Sequence, residues 1–225
     1  MTFPDAADVA AVGITLKLAT ISTLALLVIA MPLAWWLART RARVKVIVEA
    51  IVALPLILPP TVLGFYLLLA LGANGPLAKL TGHSLAFSFT GLVAGSIVYS
   101  LPFVVQPLRD AFIAVGEEVM DAAATLGASP MDRFMSIAVP LARPGFITAA
   151  VLGFAHTVGE FGVALMIGGS IPGQTRVVSI AIYEQVEMGR YDGAHALAAG
   201  LIVFSFVVLV IVYALNRNAS AVRIG

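Results

Sequence analysis

The sequence predicts an all-α integral membrane protein with five spanning helices and one polar insertion, and three observations carry that prediction. The 225 residues are 60% hydrophobic and only 11% charged, against about 25% charged in ordinary soluble domains. Five stretches stay apolar for about the 20 residues that a helix needs to cross a bilayer. Lysine and arginine gather on one side of those stretches. The chain has no cysteine, which excludes a disulfide framework, a thiolate metal site and a cysteine nucleophile. The formal net charge of +1 says less than where the charges lie.

Residues 1–17, MTFPDAADVAAVGITLK, lack the basic start of a secretory signal, and the apolar run after them is too long for a signal core. They read as a short tail leading into a retained span. Span one covers residues 18–38, without a charge until Arg39. Span two covers 48–71 and is closed by the turn-forming Gly72, Ala73, Asn74, Gly75 and Pro76. Span three covers 87–108. Span four, 145–168, holds a single charge, Glu160, and span five covers 194–216.

Five spans put the termini on opposite sides. Arg39, Arg41, Arg43 and Lys45 follow span one, Arg109, Arg133 and Arg143 lie between spans three and four, and Arg217 and Arg223 follow span five. The other side has Lys79, Arg176 and Arg190, with Lys17 at the outer end of span one. The positive-inside rule therefore predicts an outer (periplasmic) N-terminus, a cytoplasmic C-terminus and a cytoplasmic insertion. The Arg39–Lys45 cluster reads as a topology anchor that also touches anionic lipid. No internal repeat of the kind found in many secondary transporters is visible.

The insertion, residues 111–143, carries Glu117, Glu118, Asp121, Asp132 and Arg133 among apolar residues. Phe112, Val115, Val119, Ala123 and Leu126 recur at helical steps, predicting one helix over 111–126. Gly127 suits the left-handed position that ends a helix. Ser129 caps the next helix, Pro130 fits its first turn and Asp132 completes a near capping box. That helix is expected to stop at about Val139, before Pro140 and Pro144. A linker between helices needs only about two to eight residues, and an amphipathic hairpin lying on the membrane would want basic residues where the first helix has acids. A docking surface for a cytoplasmic protein fits better.

Asp121, Ala122 and Ala123, then Gly127, then Ile137, Val139 and Pro140 reproduce the spacing of the EAA motif, E-A-A-x3-G-x9-I-x-L-P. The chain thereby resembles the permease subunits of ABC importers, departing at Asp121 for Glu and Val139 for Leu. LPLILPPTVLGFYLLLALG at 54–72, FTGLV at 89–93, TLGASP at 125–130 and VGEFGVALMIGGSIPGQTR at 158–176 extend the resemblance to the molybdate permeases. Sulfate permeases are close relatives, but tend to have Tyr at the place of Phe161 and an extra N-terminal span. The resemblance implies a MetI-like fold with a cytoplasmic helix-turn-helix coupling loop seated on an ATPase subunit. It assigns the ATPase contact to Asp121, Ala122, Ala123, Gly127, Ala128, Pro130, Arg133, Ile137 and Pro140. It also implies a homodimer in the inner membrane, a pair of ATPase subunits and a periplasmic molybdate-binding protein, with no cofactor and no nucleic acid.

Pro55, Pro59 and Pro60 interrupt span two, and proline frees backbone groups that need partners in protein or along a water-lined path. Such a break is either part of a pathway or a packing kink, and the residues leave both open. Pro59, Pro60, Thr61, Ser96, Gly159, Glu160, Phe161 and Gly162 are the candidates for a path or gate, with Gly64, Tyr99 and Ser100 as further polar or open positions. Glu160 is an intramembrane acid, by default functional or structurally paired. It is a poor ligand for a dianion, so it is expected to be neutral, paired, or near a gate. His156 lies one turn earlier, which suggests half of a metal site at most. Tyr183, Glu184, Gln185, Glu187, Arg190 and Asp192 form an outer polar segment that serves either receptor docking or mere solvation. No phosphate-binding G-x-x-x-x-G-K-[ST] loop is present, so the chain is not expected to hydrolyse ATP. The competing readings are a sulfate, tungstate or thiosulfate permease, a proton-coupled transporter titrating Glu160, and an intramembrane metalloenzyme.

Overall fold

Asp5 caps the first helix by accepting from the amide of Asp8 at 2.8 Å, and α1 then runs unbroken over Ala6–Arg39. The computed structural model describes residues 5–221; residues 1–4 of the expected tail and Arg223 lie outside them. The tail is thus helix from Ala6 onward, because its face of Asp8, Ala11 and Thr15 is buried. At about 1.5 Å per residue α1 is about 51 Å long, well beyond the ~30 Å of a hydrocarbon core.

Span two is two helices, α2 (Val44–Ile57) and α3 (Pro60–Leu71). Leu58 and Pro59 between them are extended. A residue before proline is pushed out of the helical region, and Pro59 and Pro60 each lack the amide that would continue the ladder. A short α4 (Pro76–Thr81) follows, and Ser88 caps α5 (Phe89–Ala114).

The helix expected over 111–126 is two pieces. Phe112 still belongs to α5, Gly116 turns the chain at φ 80°, ψ 154°, and α6 covers Glu117–Thr125. Only glycine adopts that conformation without strain, a signal overshadowed by the apolar periodicity on either side. The second helix begins where expected, as α7 (Pro130–Arg133), but passes through a π turn (Phe134–Ala138) into α8 (Val139–Leu141). The helix thus ends at Leu141, one residue after Pro140, and the π turn precedes the proline. A bend of 67° then leads into α9 (Arg143–Val158).

Span four is also broken: α9 ends at Val158 and α10 (Gly162–Gly168) begins after Gly159, Glu160 and Phe161. α11 (Val178–Glu187) and α12 (Tyr191–Ala221) complete the chain. Among the described residues, the stretches 6–39, 60–81, 89–114 and 191–214 are each long and apolar enough to span, and the count reaches five only where the bent pair Pro130–Leu141 with Arg143–Val158 is taken as one span.

α1, α5 and α9 form the centre, packing against one another. Leu26, Ala30, Ala34 and Leu37 of α1 meet Val104, Val105, Leu108 and Phe112 of α5 and Ala149 of α9. Small residues allow that approach: a Cβ on Gly153 would lie 2.6 Å from Val104. α3 and α10 pack as a pair beside α5. α12 keeps Ile202, Val203 and Phe206 exposed, an apolar face of the kind a bilayer covers.

Candidate functional site

At the end of the bundle that holds Arg39, the loop from Gly116 to Leu141 forms the predicted corner. Gly127 sits at φ 86°, with the amide of Ala128 on the carbonyl of Ala123 at 3.1 Å and that of Gly127 on Ala124 at 3.0 Å. These are the two bonds of a Schellman ending. Ser129 Oγ accepts from the amide of Asp132 at 3.2 Å, and Asp132 Oδ2 accepts from the amide of Ser129 at 3.3 Å, the reciprocal pair of a capping box. Both ends of the corner are satisfied without outside help, so the corner is stiff.

Asp121, Ala122, Gly127 and Pro130 are exposed, while Ala123, Ala128, Arg133, Ile137 and Pro140 are half-buried. Leu126, Met131 and Met135 stand out as apolar knobs at 89%, 67% and 54% exposure. The other side of the loop faces the bundle. The Phe134 ring lies 5.0 Å from that of Trp35 and 6.0 Å from that of Phe112, and Phe112 reaches Phe146 at 5.8 Å. Arg133 donates to the carbonyl of Met120 at 3.5 Å. Two of the clustered basic residues also reach the loop: Arg39 donates to the carbonyl of Gly116 at 3.5 Å and Arg41 pairs with Glu117 at 3.2 Å.

The two helix breaks meet on the far side of α5. A Cβ on Gly162 would lie 2.8 Å from Cβ of Pro60, so glycine there lets the start of α10 touch the start of α3. Between them opens a cavity of about 440 Å³ lined by Pro60, Thr61, Tyr99, Ala155, His156, Gly159, Glu160, Phe161 and Gly162. Glu160 is only 3% exposed; its Oε2 accepts from Ser96 Oγ at 2.8 Å, and Oε1 has no hydrogen-bond partner. His156 is bonded instead to Ser100 at 2.9 Å and stacks on Phe103 with centroids 3.8 Å apart. Glu160 and His156 thus hold separate partners, although both line the cavity. Pro59 is not part of the lining, and Ser96 reaches the cavity through Glu160. Gly64 belongs to packing rather than to the lining, since a Cβ there would lie 2.8 Å from Met166.

At the opposite end, the polar segment 183–192 is anchored as well as solvated. Arg176 reaches Glu184 at 2.7 Å and Asp8 at 3.2 Å, and Gln185 donates to Asp8 at 3.2 Å. Asp8 is 2% exposed and Gln185 6%. Burial by itself lowers the Arg176 pKa, but the hydrogen bonds and charges of Glu184 and Asp8 outweigh it and leave the pKa raised. Ser170 also donates to Glu184. α11 carries this anchor to the break: Ser179 donates to the carbonyl of Glu160, and the Tyr183 ring lies 5.2 Å from Phe161. Asp8 and Trp35 are structural participants that the sequence does not single out, and Arg39, expected only as part of the topology anchor, also holds the loop. The signal available for Asp8 was a lone acid on the inward face of an otherwise apolar helix.

The family model described as binding-protein-dependent transport system inner membrane component matches residues 30–221. The chain belongs to this family. The molybdenum transport system permease protein ModB of Azotobacter vinelandii is 58% identical over 214 residues, 93% of this chain and 95% of that protein. The protein of the same name from Escherichia coli K12 is 34% identical, covering 89% and 90%. A probable sulfate transport system permease protein from Zygnema circumcarinatum is 34% identical over 80% of this chain and 64% of that one. Among solved structures, the inward-facing MetNI methionine ABC transporter aligns with a TM-score of 0.72 at 22% identity, covering 95% of each chain. A bacterial alginate ABC transporter aligns at 0.74 and 18% identity, covering 94% of this chain and 78% of that one. These structures share the fold, as the resemblance implied. This inner membrane component is accordingly a permease subunit and not an enzyme, which agrees with its lack of a phosphate-binding loop.

Proposed function

We propose that the chain is the membrane permease subunit of an ATP-driven importer that carries molybdate across the inner membrane. The observation that carries this reading is the 58% identity to a molybdenum permease along nearly the whole of both chains. The sulfate permease relative is matched over a smaller share of its length, so sulfate stands as the more distant alternative. A proton-coupled transporter would need no ATPase, and the docking knobs beside the EAA spacing would then be without purpose.

Two copies enclose an alternating-access path, with the N-terminus periplasmic and the C-terminus cytoplasmic. A pair of ATPase subunits receives the loop 117–141, with Leu126, Met131 and Met135 as its apolar contacts and Asp121, Ala122, Ala123, Gly127, Ala128, Pro130, Arg133, Ile137 and Pro140 forming or shaping that surface. A periplasmic molybdate-binding protein delivers the anion to the opposite end, where residues 186–192, from the end of α11 to the start of α12, are exposed. Annular lipid covers the apolar outer faces of α2 and α12. The cavity between the breaks lies on the path. Glu160, held by Ser96, lines it as a gate residue rather than as a grip on a dianion. ATP-bound and free ATPases favour opposite orientations of the path, and uptake follows from cycling between them.

The test is reconstitution into liposomes with the ATPase and the receptor. ATP-dependent uptake of radioactive molybdate, competed by tungstate and weakly by sulfate, is the expected result. Uptake that persists without ATP sinks the reading, and preferential uptake of sulfate reassigns the substrate.

A further inference from the structure

The loop 117–141 presents knobs to one side, but a push on those knobs does work only if something in the bundle receives it. The aromatic and cation contacts of the loop point to the end of α1. Phe134 is the loop's aromatic contact with the bundle, and its ring is nearer to Trp35 of α1 (5.0 Å) than to Phe112 of α5 (6.0 Å). The Arg39 guanidinium lies 4.7 Å from the Trp35 ring centre, and the same side chain donates to the carbonyl of Gly116, the residue at which α5 gives way to the loop. One turn of α1 therefore grips the loop at both its beginning and its middle. Trp35 also touches Phe112 at 5.2 Å, so the grip is wedged against α5. The π turn puts Phe134 and the fully buried Ala138 on the bundle side, while Met131 and Met135 face out.

We propose that Trp35 and Arg39 are positioning residues for energy coupling, clamping the loop 117–141 to α1 so that the two move as one body when the ATPase subunits close. This deepens the permease reading and rests on it. Coupling across a protein needs packed elements with two discrete arrangements, and α1 runs as one helix of 34 residues from the clamp toward the far end of the bundle, with Pro32 inside it one turn before Trp35. α5 has no such continuity into the loop, because it stops at Ala114 and the chain turns at Gly116.

The chain has no cysteine, which makes a direct test available. Arg41→Cys with Glu117→Cys replaces an exposed ion pair between the connection two residues past the end of α1 and the start of α6, with side chains 87% and 63% exposed, and a short bifunctional maleimide joins them. In liposomes containing the ATPase and receptor, the tethered protein is expected to keep molybdate uptake within about twofold of the untethered one. A tether that abolishes uptake overturns the proposal, because the loop and α1 then move against each other. A second measurement uses Trp35→Ala, Trp35→Phe and Arg39→Gln. Trp35→Ala and Arg39→Gln are expected to keep ATPase assembly and hydrolysis while molybdate imported per ATP falls about tenfold, and Trp35→Phe is expected to restore the ratio. An unchanged ratio, or a parallel fall of uptake and hydrolysis, overturns it. Absence of ATP-driven uptake in the untethered parent removes the permease reading itself and the proposal with it, and is distinguished because the tether and ratio measurements are read against that parent.

Discussion

Glu160, Gly127 and Asp8 show three ways in which one residue holds this molecule. Glu160 is buried with one oxygen on Ser96 and the other without a partner. Removing the donor in Ser96→Ala is expected to cost about 1–3 kcal/mol, read as a lowered unfolding temperature in detergent, and to reduce uptake without affecting ATPase binding. Gly127 has open space around an added Cβ but a left-handed φ of 86°, so Gly127→Ala is strained by backbone alone, at about 1–2 kcal/mol. Gly127→Asn is expected to recover most of that loss, since asparagine tolerates the conformation; ATPase affinity in a pull-down ranks the three proteins. Asp8 is 2% exposed and holds Arg176, itself 11% exposed at the side chain. Asp8→Ala leaves a buried guanidinium with Glu184 alone and an unsatisfied Gln185 amide, and is expected to cost about 3–5 kcal/mol, measured by thermal unfolding. Of these three, Gly127 and Glu160 were legible in the sequence, one as a helix stop and the other as a charge in an apolar run. Asp8 was not, because its partners are 168 and 177 residues away.

At the scale of elements, punctuation by proline and glycine reads well where one residue type acts alone. The break before α3 follows from Pro59 and Pro60, and the start of α7 from Ser129, Pro130 and Asp132. It reads poorly where a competing pattern is strong: the apolar recurrence from Phe112 to Leu126 runs across Gly116, and only the φ of 80° separates α5 from α6. Pro140 lies inside α8 rather than after it, with the helix ending one residue later at Leu141. The meeting of α3 with α10 depends on Gly162, whose added Cβ would lie 2.8 Å from Pro60. Gly162→Val is expected to push the two helix starts apart, at about 1–3 kcal/mol of overpacking, and to close or reshape the cavity. Reduced uptake with unchanged ATPase assembly is the outcome that checks it, and full uptake would separate the cavity from the path.

For the whole molecule, the sidedness drawn from the basic residues has a direct measurement in the cysteine-free chain. Leu80, Met188 and Leu126 are 85%, 60% and 89% exposed, the first two in the segments expected on the outer side and the third at the tip of the loop. Leu80→Cys and Met188→Cys are expected to react with an impermeant maleimide in cells whose outer membrane alone is permeabilised, and Leu126→Cys only after the inner membrane is opened. The reverse pattern overturns the orientation. What the sequence by itself determined is the class, the set of apolar stretches, the stiff corner at Gly127 and the absence of a nucleotide-binding loop, because each is written in composition or within a few neighbouring residues. What only the tertiary structure decided is which of these local features meet. Ser96 reaches Glu160 across 64 residues, the two breaks face each other across a cavity, and α1 grips the loop through Trp35 and Arg39. Those meetings depend on how separate helices pack, and side-chain periodicity along one helix carries no record of the helix it will face.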